Sequence, residues 1–197
     1  MMRPVLLVLI ASLVACAKSG PVTMSSAVQE AAKETVVDGR IRVEVDVDGR
    51  DGPEVVNYYV ERDGRRLLVE KQADFEGDGI AELRTLFDDA GVRIREELNT
   101  DFDKAFDWVD TFTAGVRVTS EIDTDGNGRP DLRKIYNPDG SLTKEWLVPK
   151  RGQETEQIIE QRTLFGADRQ VICLERDKDL DGVLDEKECP GRPGGAR

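Results

Sequence analysis

Between residues 177 and 188 the chain sets oxygen-bearing side chains at fixed intervals. Asp177, Asp179 and Asp181 stand at places one, three and five, Asp185 at nine and Glu188 at twelve. Gly182 at place six permits the sharp bend such a stretch needs, and the Val183 carbonyl adds a backbone oxygen at place seven. Alternating carboxylates around a turn are hard anionic donors, and calcium takes six to eight such oxygens in flexible geometry. Calcium is therefore the expected cofactor, with Asp177, Asp179, Asp181, Val183, Asp185 and Glu188 as its ligands. Two partial copies lie upstream. Asp123, Asp125, Asn127 and Asp131 fill places one, three, five and nine, with Lys134 at twelve. Asp74, Glu76, Asp78 and Glu82 do the same, with Thr85 at twelve. Without the twelfth carboxylate these two are expected to be weaker metal sites. Asp46, Asp48, Asp51 and Glu54 fit only with an insertion, and Asp101-Phe102-Asp103 is a decayed copy lacking the glycine. Asp and Gly are also ordinary turn formers, so the partial copies have a second, purely structural explanation.

What must position these loops is a series of strands. Gly64, Gly91, Gly115, Gly140 and Gly166 recur about every 26 residues, and Gly52, Gly79, Gly128, Gly152 and Gly182 interleave with them. Asp63-Gly64 and Asn137-Pro138-Asp139-Gly140 are hairpin signals. Between them run strand-like patterns of period two. Leu132, Lys134 and Tyr136 alternate with Arg133 and Ile135, and Leu142, Lys144, Trp146 and Val148 share one face. The fold class is mainly β: an antiparallel meander of about ten strands built from ~26-residue hairpin repeats, curling toward an open barrel. Odd and even turns of a meander fall on opposite rims, so all the acidic loops are expected on one rim. Ser25-Ser26 would cap a short N-terminal helix over Ala27 to Glu34.

Composition narrows the function. The net charge is −12, which excludes a nucleic-acid partner, since phosphate binding needs a basic face. There is no His, the commonest general base. No Gly-x-Ser-x-Gly and no nucleophile-and-base pattern occurs, so the chain is read as not an enzyme. Trp108, Trp146, Tyr58 and Tyr136 sit at strand positions and are expected in the core rather than on a carbohydrate platform. The length allows one domain with a sizeable core.

At the N-terminus, Arg3 precedes the apolar run Val5 to Ile10 and then Leu13-Val14-Ala15-Cys16. This is the layout of a secretory signal peptide. The Leu-x-Ala-Cys box resembles the lipobox of bacterial lipoproteins. That resemblance implies lipidation at Cys16, export, and attachment to the membrane through the N-terminal lipid. Lys18, with no Asp directly after Cys16, implies the outer membrane by similarity to enterobacterial sorting. Once Cys16 is spent on lipid, Cys173 and Cys189 remain, and outside the cytoplasm such a pair is expected as a disulfide.

The 177–188 stretch matches the EF-hand loop pattern. Its flanks depart from one: Val171-Ile172-Cys173-Leu174 looks like a strand, and Cys189-Pro190-Gly191 stops any helix. The arrangement resembles thrombospondin type 3 or dockerin-type calcium loops. The hairpins resemble Asp-Gly/Tyr repeats of outer-membrane lipoproteins in diderm bacteria. The domain organisation expected is a signal peptide at 1–15, a tether with the helix at 16–39, and a hairpin-repeat domain at 40–175. A disulfide-stapled calcium loop at 176–190 and a disordered tail at 191–197 complete it. The expected function is an envelope-anchored calcium-binding repeat lipoprotein with a structural or adhesive role and an envelope or cell-surface protein partner. The alternative is a metal-independent accessory lipoprotein of a surface motility, secretion or outer-membrane assembly complex.

Overall fold

The computed structural model describes residues 32–46, 49 and 52–190. Cys16, the signal peptide, most of the tether and the 191–197 tail lie outside the described residues. Thirteen strands follow one another: β1 (Ala32–Val37), β2 (Arg40–Val45), β3 (Val55–Arg62), β4 (Arg65–Ala73), β5 (Leu83–Phe87), β6 (Arg93–Leu98), β7 (Trp108–Thr113), β8 (Val116–Ile122), β9 (Leu132–Tyr136), β10 (Leu142–Lys150), β11 (Gln153–Phe165), β12 (Val171–Arg176) and β13 (Glu186–Glu188). They form one sheet in sequence order, each strand antiparallel to the next. β1 and β13 are the two outer strands and do not pair with each other, so the sheet is open. The meander is as expected.

Thirteen strands exceed the expected ten or so, and the sheet gains a strand at each end. Ala32, Lys33 and Glu34, expected at the end of the helix, lie in β1. Ala27 to Ala31 are outside the described residues. Helix-compatible composition loses here to hairpin pairing. Asp38 and Gly39 both take positive φ, the two-residue turn whose twist matches paired strands. β1 then pairs with β2 along its whole length. The sheet therefore begins inside the segment expected as a tether. At the other end β13 adds three residues after the acidic loop.

Register explains the faces. Opposed residues across an antiparallel pair point to the same side. One transverse row runs Ala32, Val45, Val55, Ala73, Leu83, Leu98, Trp108, Ile122, Leu132, Trp146. The neighbouring row, on the opposite face, crosses all thirteen strands. From β8 to β13 it alternates in charge: Glu121, Arg133, Glu145, Arg162, Glu175, Lys187. Each step in that run is an ion pair at 2.8–3.5 Å.

Among the described residues no second layer covers either face of this sheet, and they do not form the sizeable core expected from length. The buried apolar residues are few: Val45, Val56, Ala73, Phe112, Leu132, Leu147, Ile158 and Cys173. The largest fully buried side chains are Glu82, Asp110 and Ser120. Asp110 accepts from Trp108 Nε1 and pairs with Arg117, each at 2.8 Å. The aromatic residues expected in a core are half-buried and roofed by cations instead. Lys134 lies over Trp108, Lys144 over Trp146 and Arg40 over Tyr58. Stability in a single layer falls to cross-strand pairs rather than to interdigitated apolar layers.

Glu70 shows how such pairs make the fold pH-sensitive. Burial works to raise its carboxyl, but hydrogen bonds from Gln72, Arg84 and Arg40 outweigh it and hold it below the usual 4.5. A carboxyl depressed in the folded state adds stability above its unfolded value and loses it as pH falls through the folded value. Glu70→Gln is expected to cost about 2 kcal/mol at neutral pH. The difference from wild type should vanish in acid. Urea midpoints at neutral pH and at about pH 3 check this; an unchanged gap in acid would refute it.

Candidate metal loops at one rim

The acidic loops all leave the same rim of the sheet, between β2 and β3, β4 and β5, β6 and β7, β8 and β9, and β12 and β13. The β10–β11 connection on that rim is a short turn at 151–152 without acids. Four of these loops share one internal wiring over nine places, starting at Asp74, Asn99, Asp123 and Asp177. The side chain at place one accepts the N–H of place four: Gly77 to Asp74 at 2.7 Å, Phe102 to Asn99 at 2.8 Å, Gly126 to Asp123 at 2.9 Å, Leu180 to Asp177 at 2.8 Å. The acid at place nine accepts the N–H of place two: Phe75 to Glu82, Thr100 to Asp107, Thr124 to Asp131, Lys178 to Asp185. Place five accepts from place seven, through Asp78, Asp103, Asn127 and Asp181. Three loops also bond directly to the loop before them. Asp74 N–H donates to the Glu54 carbonyl, Asn99 N–H to the Glu82 carbonyl and Asp123 N–H to the Asp107 carbonyl.

The loop starting at Asn99 is what sequence reasoning missed. Its frame begins two residues before Asp101, with Asn in place of the first Asp and Lys104 in place of the glycine. Lys104 takes φ of 81°, beside 87°, 82° and 98° for Gly79, Gly128 and Gly182. The spacing Asn99, Asp101, Asp103, Asp107 is visible in the sequence once Asn is admitted at place one.

Oxygens sharing one calcium at about 2.3–2.6 Å lie no more than about 5 Å apart. In three loops, three carboxylate oxygens lie within 4.8 Å of one another: Asp74, Asp78 and Glu82; Asp123, Asp125 and Asp131; Asp177, Asp179 and Asp185. An all-carboxylate donor set suits a hard divalent ion. Glu82 and Asp177 are buried carboxylates inside these clusters, with other acids beside them. Asp179 carries the electrostatic cost. Asp179 is exposed, yet partial loss of hydration among its neighbours pushes its carboxyl up, and the negative charges of Asp181, Asp185 and Asp177 push it further. A divalent ion fits because it relieves that repulsion. Asp123 is in the opposite condition. Burial would raise it, but N–H donors from Gly128, Gly126, Asn127 and Asp125 hold it low.

Asp181, Glu76 and Glu188, also expected as ligands, are not among the carboxylates of these triads. Asp181 caps the Val183 N–H and is exposed. Glu76 is exposed and Asn127 accepts from Arg129 N–H. Glu188 lies at the end of β13 opposite Leu174. In a helix-loop-helix site the exit helix turns place twelve back over the ion. Here a strand advancing about 3.3 Å per residue carries it along β12 instead.

Cys173 and Cys189 form a disulfide across a separation of 16 residues. It joins β12 to the chain just after β13 and closes the 177–185 loop between them. A loop of that length gives about 3 kcal/mol in the chain-entropy description. Three residues of β13 are too few to hold a hairpin alone. Replacing both cysteines with Ser is expected to release β13 and expose its amides to exchange, leaving the remaining strands protected. Hydrogen exchange resolved by residue checks this. Retained protection at residues 186–188 would show that the staple is dispensable.

The fold and loops define a single-layer β-meander with acidic, oxygen-lined loops along one rim. No protein-family model matches the chain, and no curated protein matches it significantly.

Proposed function

We propose that this chain is an outer-membrane lipoprotein, anchored through Cys16, that binds calcium along one rim and acts as a structural or adhesive element toward an envelope or cell-surface protein. The observation carrying this reading is the recurrence of converging carboxylate triads in three loops of one shared wiring, each built on places one and nine, with the third acid at place three in two loops and at place five in the Asp74 loop. Chance turn formation asks for Asp at place one but not for a triad at each copy. Asp177, Asp179 and Asp185, aided by the Val183 carbonyl, would hold the tightest ion. Asp123, Asp125 and Asp131, and Asp74, Asp78 and Glu82, would hold others. Two interleaved turn series on opposite rims support a hairpin repeat of about 26 residues as the building unit. Bound ions would stiffen one rim and leave the charged and aromatic faces free to meet a partner. Calorimetric titration of the purified protein with calcium is the test. Saturable binding, lost in the Asp179→Ala and Asp185→Ala pair at its tightest site, is expected; no heat at millimolar calcium would overturn the reading.

One observation favours a metal-independent accessory lipoprotein. Place one of each of the three triad loops already accepts two of the loop's own N–H groups, which lets the loop fold without an ion. The same titration separates the two. The anchor is tested separately: Cys16→Ala should move the protein from the membrane fraction to the soluble one. Continued sedimentation with membranes would remove the lipid from the account.

A further inference from the structure

The four loops share their wiring but differ at one atom. In three of them, the second oxygen of place one accepts the N–H of place six: Gly79 to Asp74 at 2.7 Å, Gly128 to Asp123 at 2.6 Å, Gly182 to Asp177 at 2.8 Å. In the loop between β6 and β7 that atom is an amide nitrogen. Asn99 is 4% exposed, and its oxygen is taken by the N–H groups of Phe102 at 2.8 Å and Asp103 at 3.3 Å. Its Nδ2 is buried with no hydrogen-bond partner in the protein, and so is Oδ1 of Asp107 at place nine. Rotating the amide offers no escape, since it would aim the NH2 group at two backbone donors. Places one and nine are the pair that come together in each of the other three loops. The site therefore presents one orphan donor and one orphan acceptor, each costly to leave unpaired.

We infer that the Asn99–Asp107 loop is a site for a single buried water molecule rather than for a cation, and that Asn99 sets this choice. A neutral molecule that accepts from Nδ2 and donates to Asp107 satisfies both orphans, and water does this in a buried polar site with two or more partners. A divalent cation would meet the N–H of Nδ2 where the sister loops present oxygen. The Lys104 charge at place six opposes it further. The rim then has a metal-independent link between the loops at 74–82 and 123–131, tied to both by the Asn99-to-Glu82 and Asp123-to-Asp107 backbone bonds.

Part of the test rests on the calcium reading of the sister loops, and its arms keep the two apart. Calcium stoichiometry of the wild type is measured beside that of Asn99→Asp. If the wild type binds calcium, the variant is expected to bind one ion more per chain. An unchanged stoichiometry would overturn the assignment of Asn99 as the selecting residue. If the wild type binds none, the calcium reading fails, and the water site is decided by crystallography alone. A high-resolution structure grown with calcium should show a water at about 2.7–3.2 Å from both Asn99 Nδ2 and Asp107 Oδ1. A peak with oxygen ligands at about 2.3–2.6 Å, or no peak between the two atoms, would overturn it.

Discussion

In saturating calcium, replacing Asp179 with Asn is expected to lower the melting temperature of this protein; in chelator the same substitution is expected to raise it. The opposite signs come from one cause. The carboxyl of Asp179 is pushed up by partial loss of hydration and by the charges of Asp181, Asp185 and Asp177, so its charge is less favourable in a loop without an ion. Removing that charge relieves the repulsion when no ion is present. With an ion bound there, the same charge would be a ligand, and losing it would weaken the site. A site at a hundredfold excess of ligand over its dissociation constant adds about 2.7 kcal/mol. For a chain of this size that corresponds to roughly 5–10 °C in the melting temperature. Asp185→Ala should lose the same calcium-dependent shift, because Asp185 closes the triad and accepts the Lys178 N–H. Glu188→Ala should leave the shift unchanged, since β13 carries it along the sheet. Scanning calorimetry of the three variants in both media decides the matter. If Asp179→Asn moves the midpoint in the same direction in both, the 177–185 loop is a turn and nothing more.

The hairpins were legible because their signals are local. Turn glycines at Gly64, Gly115 and Gly140 all take the positive φ that such turns require, and alternation between them fixed the strands. The single rim of acidic loops followed from the meander without any further information. The absence of a second layer was not legible. Alternation along one strand shows an apolar face but not what covers it, and the charge row appears only once the registers are known. Ala32, Lys33 and Glu34 favour a helix locally, whereas the pairing of β1 with β2 is a contact the composition does not encode. The twelve-place pattern that places Glu188 among the ligands assumes an exit helix, whereas the chain leaves this loop as strand β13. A frame defined on Asp passes over Asn99, whereas the loop is defined by its N–H acceptors, a role the amide oxygen of Asn99 also fills.

Glu145→Ala is expected to destabilise the sheet more than any other single change in the charge row. Glu145 is 4% exposed and lies between Arg162, at 2.9 Å, and Arg133, at 3.5 Å. Removing one member of a buried pair leaves the other uncompensated, at about 3–5 kcal/mol in fully buried cases. Both guanidiniums here are about a third exposed, so water screens part of the loss and about 2 kcal/mol is the expected cost. Glu121, at the end of the run, is 43% exposed in its side chain, and Glu121→Ala should cost about 0.5 kcal/mol. The contrast carries over to salt. At about 1 M the screening length is roughly 3 Å, which weakens the exposed Glu121–Arg133 pair and leaves the buried Glu145 contacts largely intact. A double-mutant cycle between Glu145 and Arg162 should give a coupling that survives high salt. Equal costs for Glu145→Ala and Glu121→Ala would mean that backbone pairing alone holds these strands together. The alternating row would then be a surface decoration rather than this single layer's substitute for a core.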